Sequence, residues 1–308
     1  MAETVLRLDA DDVWRTLETI DPVAVLAEEL IKRAINHPDQ AREPVCRVVP
    51  WTGHDEYVRT ECGSHDLSCA IPTSALRAVH AAALSALATR ELLPPGGITV
   101  AMLGARLEIQ SQLAVLARHV PDIVHVAVRV VDDTEVESLE PRLVDQLDLA
   151  GIGLSIVTAL ADALFGANLV VVVSEEALTE GAEHAGVKHL VRGTVLVNAS
   201  GHDLPGDLVD HVDQIYVDDL ALLAAHADRK VVRGHLTEPR SGGAGGASRP
   251  PAIAADLGLL LAGVRPGREQ QDDVVVVDLL SVDTPDTHLA HTIAEAALRW
   301  GLGARVPA

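Results

Sequence analysis

Short runs of apolar residues, rich in valine, recur along the chain, and each run ends at a glycine or a polar residue. These runs lie at 98–103, 123–131, 169–173, 195–197, 214–217 and 273–280. Helical spacing of apolar positions marks other segments, at 11–36, 74–93, 108–118, 153–164, 252–261 and 287–300. Two further short strands are predicted at 45–51 and 57–60, and Asp21 and Pro22 predict the start of a second helix within the first segment. Alternation of strands and helices is typical of an α/β fold with a doubly wound parallel sheet.

The residue composition supports buried parallel strands. Hydrophobic residues make up 48% of the 308 positions and aromatic residues only 2%, so the core is built from valine, leucine, isoleucine and alanine. Such residues suit strands that helices cover on both faces. A chain of this length is expected to form one or two domains.

The formal net charge of −21 at pH 7 excludes several classes of partner. A strongly negative surface repels phosphate groups, so we expect neither nucleic acid nor membrane as a partner, but a small molecule. The apolar runs are too short to span a bilayer, and the first residues lack the pattern of a secretory signal. Cys46, Cys62 and Cys69 are odd in number and lack zinc-site spacing, which predicts idle thiols in a reducing cytoplasm and no metal site.

The segment 193–206 (GTVLVNASGHDLPG) is the most informative for chemistry. A buried strand there ends at Asn198 and releases into a loop that carries Ser200, His202 and Asp203. Ligands of open α/β sheets bind beyond the carboxyl ends of the strands, so these side chains are candidates for a site. A turn with a few solvated polar residues is the alternative interpretation.

The turn after the run 98–103 is a candidate phosphate loop. Gly104 stands at the first glycine position of a dinucleotide fingerprint, but Arg106 occupies the second glycine position. Either Arg106 pairs with a phosphate, or the phosphate site is narrowed or lost. A structural strand-to-helix turn is the alternative interpretation of this segment. Asp132 lies near the spacing expected for a ribose-binding acid, whereas Arg129 is a candidate for binding a 2′-phosphate, so the choice between NAD and NADP stays open.

Four segments together resemble the ornithine cyclodeaminase and mu-crystallin family. They are HAAALSALATRELL (80–93), LGARLEIQSQL (103–113), VNASGHDLPG (197–206) and LGLLLAGVRPGREQQDDVVVV (257–277). The runs at 215–219 and 265–269 also resemble family members that make 2,3-diaminopropionate precursors for natural products.

The resemblance implies a Rossmann-type domain that binds NAD or NADP, at 81–287, inserted into a smaller α+β domain. Residues 1–80 and 288–308 would form this second domain, which binds the substrate and makes a homodimer. The implied reaction transfers hydride at the α-carbon of an amino acid through an imine. Asp203 matches the catalytic aspartate, and Ser174 and Asn198 match strand-end positions beside the cofactor.

The chain departs from the family pattern at two substrate-binding features. His80 stands where the family has an arginine that clamps the substrate carboxylate, and Arg77, one helical turn earlier, is a candidate substitute. No lysine occurs between Lys32 and Lys188, although the family has one in its N-terminal half. We therefore expect an NAD(P)-dependent amino-acid oxidoreductase or cyclodeaminase-like enzyme with an altered substrate pocket, in specialised metabolism. The alternative is a catalytically impaired binding or structural homologue.

Overall fold

A computed structural model describes residues 4–35, 46–62, 68–131, 139–180, 183–184, 187–236 and 251–307. Its strands are β1 (Thr4–Arg7), β2 (Cys46–Pro50), β3 (Tyr57–Cys62), β4 (Ser68–Pro72), β5 (Ile98–Gly104), β6 (Ile123–Val130), β7 (Gly153–Ile156), β8 (Leu169–Val172), β9 (Thr179–Glu180), β10 (Glu183–His184), β11 (Val195–Asn198), β12 (Gln214–Val217), β13 (Ile253–Asp256), β14 (Val275–Asp278) and β15 (Ala304–Pro307). Its helices are α1 (Ala10–Thr16), α2 (Pro22–Ile35), α3 (Thr73–Leu92), α4 (Arg106–His119), α5 (Pro141–Leu149), α6 (Leu160–Leu164), α7 (Gly206–Val209), α8 (Lys230–Leu236), α9 (Leu257–Leu261) and α10 (Thr287–Trp300).

An eight-stranded sheet in the order β13-β12-β14-β11-β8-β5-β6-β7 forms the centre of the protein. All its strand pairs are parallel. Every residue of β8, β11, β12 and β14 is buried, because helices cover both faces of the sheet. The doubly wound α/β fold predicted from the apolar runs is therefore confirmed.

A second, five-stranded sheet in the order β15-β1-β4-β3-β2 contains both antiparallel and parallel pairs. The strands at the two ends of the chain, β1 and β15, pair antiparallel in it. The predicted strands at 45–51 and 57–60 correspond to β2 and β3, which pair along Cys46 to Pro50. The proposed domain bounds, 1–80 with 288–308 and 81–287, stay a prediction.

The helix boundaries follow local signals where these are strong. Asp21 Oδ1 accepts a hydrogen bond from the Ala24 amide at 2.8 Å, as expected for a residue that precedes a helix starting at Pro22. Gly301 adopts a φ of 65° and ends α10, which is the role of a glycine at this position. The long helices predicted at 74–93 and 108–118 are confirmed as α3 and α4.

Two predicted helices are wrong. The segment 153–164 contains β7 followed by the short α6, and 252–261 contains β13 followed by α9. Alanine and leucine favour helix locally, but pairing with a neighbouring strand outweighs that preference. A Cβ at Gly153 would lie 2.8 Å from His125 Nδ1 on β6, so this glycine permits a close approach that local periodicity does not reveal. The sequence pattern also did not predict strands β1, β4 and β15 or helices α5, α7 and α8.

Candidate functional site

The order of the parallel strands reverses between β5 and β8, and the candidate site begins at their carboxyl ends. From β5 the chain continues to β6 and β7 on one side of the sheet, whereas β8 and β11 lie on the other. Such a reversal opens a crevice at the carboxyl edge, where open α/β sheets bind ligands.

Gly104 is required at the end of β5. Its φ is +142°, and a Cβ there would lie 2.5 Å from Val173 Cγ2 and 3.0 Å from the Ser174 nitrogen. A side chain would therefore clash with the segment that leaves β8. The glycine predicted for a tight phosphate loop thus stands where the ends of β5 and β8 approach closely.

The residues that start α4 follow Gly104 directly. Ala105 is the N-cap residue of α4 and has no side-chain atom that accepts a hydrogen bond, so the first amide groups are open to water or to a ligand. Arg106 is the first helical residue and is exposed, while Glu108 also lies in the first turn. The helix end and the guanidinium favour an anion, and the Glu108 carboxylate opposes it.

Ser174 follows β8 and precedes a short 3-10 helix, Glu175–Leu178. Its hydroxyl oxygen is buried and has no hydrogen-bond partner within the described residues. Buried polar atoms nearly always have a partner. The Ser174 hydroxyl, without a partner among the described residues, is therefore a candidate to bind a water molecule or a ligand.

The two candidates for cofactor choice have different outcomes. Asp132 lies outside the described residues. The Arg129 guanidinium donates hydrogen bonds to the carbonyl oxygens of Thr158 (3.0 Å), Ala177 (3.0 Å) and Thr179 (3.4 Å). It thereby joins the segments that follow β7 and β8, so the group considered for a 2′-phosphate is engaged with the backbone.

Asn198 is fully buried at the end of β11, and its amide is bonded within the protein. Its Nδ2 donates to the His202 carbonyl oxygen and to Asp278 Oδ1, both at 2.7 Å. Its Oδ1 accepts from the Ser200 hydroxyl at 2.7 Å and from the Ser200 amide at 3.3 Å. Asn198 therefore shapes the loop that follows β11.

Asp278 and Arg229 form a buried ion pair beneath this loop, with 3.0 Å between Arg229 Nη1 and Asp278 Oδ1. Burial raises the pKa of Asp278 to about 6, while Arg229 and the hydrogen bond from Asn198 act to lower it, and Asp218 and Asp203 raise it further. Desolvation disfavours the charged form of a carboxyl group, and a nearby cation favours it. The ion pair therefore forms despite the large free-energy cost of removing the two charges from water.

Asp203, the predicted catalytic residue, is exposed on the same loop. Its Oδ1 accepts a hydrogen bond from the Lys230 amide, the first residue of α8, at 2.9 Å. Its Oδ2 has no hydrogen-bond partner in the part of the chain that the structure describes. One carboxylate oxygen is therefore fixed by the protein, and the other is available to a ligand.

One face of α3 contributes Arg77 and His80. Arg77 Nη2 donates to the Asp283 carbonyl oxygen at 2.9 Å, and Nη1 lies 3.7 Å from Asp283 Oδ1. A Cβ at Gly201 would lie 3.1 Å from Asp283 Oδ2. Asp283 therefore connects Arg77 to the loop that carries Asp203.

His80 is buried, with 4% of its surface exposed, and its Nδ1 has no hydrogen-bond partner among the described residues. Burial lowers its pKa, and the carboxylates of Asp286 and Asp218 act in the opposite direction. His80 is thus neutral near pH 7, unlike the arginine that the resemblance led us to expect there.

Sequence reasoning missed several residues of this region. Asp278 lay inside a predicted strand, 273–280, that was too long, although the same strand-end rule that identified Asn198 would have identified it. Arg229 and Lys230 belong to a segment without a clear apolar period. Their partners depend on which strands are neighbours, which the sequence pattern does not specify.

The described residues are expected to hold neither a metal site nor a membrane span. No three acidic, histidine or cysteine residues within the described ranges are grouped so that they could bind a metal ion. None of the helices in those ranges combines the length and apolar character that a membrane span needs. Cys69 is buried, which raises the pKa of its thiol to about 12, so this cysteine is the idle thiol that the sequence predicts.

Solved structures resemble this chain over its full length. CmnK shares 19% identity, with a TM-score of 0.68 over 99% of this chain and 98% of that one. The Thermococcus litoralis Δ(1)-pyrroline-2-carboxylate reductase, solved with NADH and L-proline, shares 14%, with a TM-score of 0.67 over 98% and 100%. An archaeal alanine dehydrogenase dimer with bound NAD shares 14%, with a TM-score of 0.63 over 98% and 99%.

Comparisons of the sequence alone match one family profile and no curated protein. No curated protein matches this chain closely enough to count as a relative. The sequence profile of the ornithine cyclodeaminase/mu-crystallin family matches residues 68–300. This match covers most of the chain, including β5 to β14 and every predicted site residue. The chain therefore belongs to the ornithine cyclodeaminase/mu-crystallin family.

Proposed function

We propose that this protein is an NAD(P)-dependent amino-acid oxidoreductase or cyclodeaminase-like enzyme that acts through an imine at the α-carbon and serves specialised metabolism. One observation carries the proposal. The buried Ser174 hydroxyl has no hydrogen-bond partner among the described residues, and it lies with the start of α4, which Ala105 leaves without a side-chain cap, at the strand reversal. Asp203 is exposed one strand further along the same edge.

The residues at the strand reversal fit a dinucleotide. The diphosphate would bind at the start of α4, where Gly104 makes the turn and the exposed Arg106 adds positive charge. The Ser174 hydroxyl would gain its missing hydrogen-bond partner. When bound, the nicotinamide ring supplies or accepts a hydride. Solved structures of similar fold contain NADH or NAD.

Asp203 would accept a proton from the substrate amine. Oδ1 is held by the Lys230 amide, which fixes the carboxylate, and Oδ2 can accept a proton from the amine. A carboxylate that is oriented by one hydrogen bond and open on the other side suits general base catalysis. The proton would return from Asp203 in the reverse direction.

Arg77 and His80 would bind the substrate carboxylate from α3. Arg77 supplies the positive charge on this face, and a substrate carboxylate would compete with Asp283 for it. His80 is kept neutral by burial and would contribute a hydrogen bond through Nδ1. We also propose a homodimer, as the resemblance implies; the cytoplasmic location stays a prediction.

A binding homologue without turnover is the second candidate. It is favoured by the neutral His80 at the position of the family's arginine, because a neutral imidazole is a weaker partner for a carboxylate than a bidentate guanidinium. Such a protein would bind NAD(P)H but leave its oxidation state unchanged.

A turnover assay separates the two candidates. L-amino acids with NAD⁺ or NADP⁺, 2-oxo acids with amine and NADH or NADPH, and cyclic imines with NADH or NADPH are followed by absorbance of the reduced nicotinamide. Release of ammonia from L-amino acids with catalytic NAD⁺ or NADP⁺ is measured in parallel, because a cyclodeaminase returns the hydride to its substrate and leaves the nicotinamide unchanged overall. The enzyme proposal expects substrate-dependent turnover with at least one pair. Saturable cofactor binding without turnover across the panel would favour the binding homologue.

A further inference from the structure

Arg229 lies just before α8 and is buried, with its guanidinium between two strand ends. Nη1 donates to Asp278 Oδ1 at 3.0 Å and to the Leu279 carbonyl oxygen at 3.5 Å, while Nη2 donates to the His202 carbonyl oxygen at 3.4 Å. One side chain thus contacts both the segment after β14 and the loop after β11.

The sheet itself anchors these contacts. Asn198 and Asp278 are register partners on the adjacent strands β11 and β14, and Asn198 Nδ2 bonds to Asp278 Oδ1. The same Nδ2 bonds to the His202 carbonyl oxygen. Arg229 and Asn198 therefore donate to the same two acceptors, Asp278 Oδ1 and the His202 carbonyl oxygen.

These contacts reach Asp203 by two short routes. The His202 carbonyl belongs to the peptide that leads into Asp203, so holding it fixes the backbone there. Lys230 follows Arg229 directly, and its amide binds the Asp203 carboxylate. Movement of Arg229 would therefore displace both the main chain before Asp203 and the donor that orients its side chain.

We propose that Arg229 is a positioning residue for Asp203, which it holds at the carboxyl edge through the His202 carbonyl and the Lys230 amide. The part that Asp203 plays in turnover rests on the proposed function, whereas the positioning itself does not. The guanidinium is suited to this because its planar donors reach three acceptors at once.

Two variants test the proposal. Arg229→Lys keeps the charge beside Asp278 but presents a compact ammonium that cannot span the same three acceptors. The double variant Arg229→Met/Asp278→Asn removes both charges, so neither is left buried and unpaired if the first variant folds poorly.

Arg268→Lys is the matched control. The Arg268 guanidinium also bonds to backbone carbonyls, of Gly193 at 2.9 Å and Gln271 at 2.8 Å. These residues precede β11 and β14, so Arg268 holds the opposite edge of the same two strands. Its replacement should lower stability without changing the position of Asp203.

The expected result is a loss of kcat with little change in binding. Displacement of a catalytic group by about 1 Å can reduce the rate by roughly 100-fold, so kcat should fall roughly 10-fold in Arg229→Lys and roughly 100-fold in the double variant. The KM values and NADH affinity should stay within about twofold. Unchanged kcat in both variants, or an equal loss in Arg268→Lys, would overturn the proposal.

Hydrogen exchange provides a second measurement that does not need a substrate. The Lys230 amide should exchange at least about 10-fold faster in both variants, because its bond to Asp203 opens more often. Faster exchange in a protein without turnover would support positioning and refute the proposed enzyme. Exchange at the wild-type rate would refute positioning even if the wild type is active.

Discussion

The carboxyl edge of the parallel sheet has two neighbouring parts. Their polar groups differ in whether they have hydrogen-bond partners within the protein. At β5 and β8, the Ser174 hydroxyl is buried without a partner within the described chain, and Ala105 gives the start of α4 no side-chain cap. At β11 and β14, the Asn198 side chain alone takes part in four hydrogen bonds, and Arg229 pairs with a buried carboxylate.

The difference indicates that the two parts of the edge have different roles. Polar groups without protein partners are suited to bind a ligand, because a bound molecule removes the penalty of leaving them unsatisfied. Polar groups that bond to one another are suited to fix a loop, because their network resists rearrangement. We therefore propose that the first part binds the cofactor and that the second part positions Asp203.

The largest expected effect comes from Asp203→Asn. The amide oxygen can still accept the Lys230 bond, so the loop keeps its place, but the side chain no longer takes up a proton. Turnover should fall by about 100-fold to 10,000-fold, with NADH affinity unchanged. Asp207→Asn, an exposed aspartate at the start of α7, is the control. Wild-type turnover in Asp203→Asn would refute the role assigned to Asp203.

Gly104→Ala tests the close approach of β5 and β8. The added Cβ would lie 2.5 Å from Val173 Cγ2, with φ at +142°, and should lower the free energy of unfolding by roughly 3–5 kcal/mol. Gly96→Ala separates strain from contact, since its φ is +144° and no described atom lies within 4 Å of the added Cβ. It should lose only about 1–2 kcal/mol in denaturant titrations. Equal losses would exclude a packing role for Gly104.

The pH dependence of stability reports on Asp278. Its pKa rises from 3.8 to about 6 on folding, so the native state binds more protons than the unfolded state between those values. The free energy of unfolding should therefore decrease as pH rises from about 4 to about 6, by up to about 3 kcal/mol, and then level off. Asp278→Asn lacks this change. The wild-type minus variant difference, from urea titrations at each pH, should fall over that range; a rise would show that the attraction of Arg229 outweighs desolvation and would contradict the raised pKa of Asp278.

Ser174→Ala has the smallest expected effect. Removing an unpartnered hydroxyl should leave stability unchanged or slightly higher, while NAD(P)H affinity should weaken roughly fivefold through loss of about 1 kcal/mol of hydrogen bonding. Ser85→Ala is the contrasting control, because the Ser85 hydroxyl bonds to the Ala81 carbonyl oxygen at 2.8 Å within α3. That variant should lose about 1 kcal/mol of stability and keep its affinity. Unchanged affinity in Ser174→Ala would remove the hydroxyl from the cofactor site.

The two parts of the edge also differ in how far the sequence predicts them. Gly104 and Asn198 are identifiable because each directly follows a short apolar run, and that rule needs no knowledge of the neighbouring strands. Arg229 could not be identified in this way, since its contacts depend on β14 lying between β11 and β12. The strands β7 and β13 were missed because their stability comes from pairing and not from local preference.

The predicted role of His80 shows a further limit. The sequence places a histidine at the arginine position, but only burial determines that it stays neutral. For the same reason, the sequence left Arg129 open as a phosphate ligand, whereas the fold supplies three carbonyl oxygens for its guanidinium. Environment, which the residue types alone do not specify, decided both outcomes.

Titration of the wild-type protein with NADH and with NADPH tests the central claim most directly, with the melting temperature and tryptophan fluorescence as signals. A ligand that binds only the folded state stabilises it by about 2.7 kcal/mol at 100 times its dissociation constant. We expect at least one of the two to raise the melting temperature saturably and to quench the fluorescence. If neither changes either signal, the edge at β5 and β8 does not bind a dinucleotide, and the proposed function is wrong.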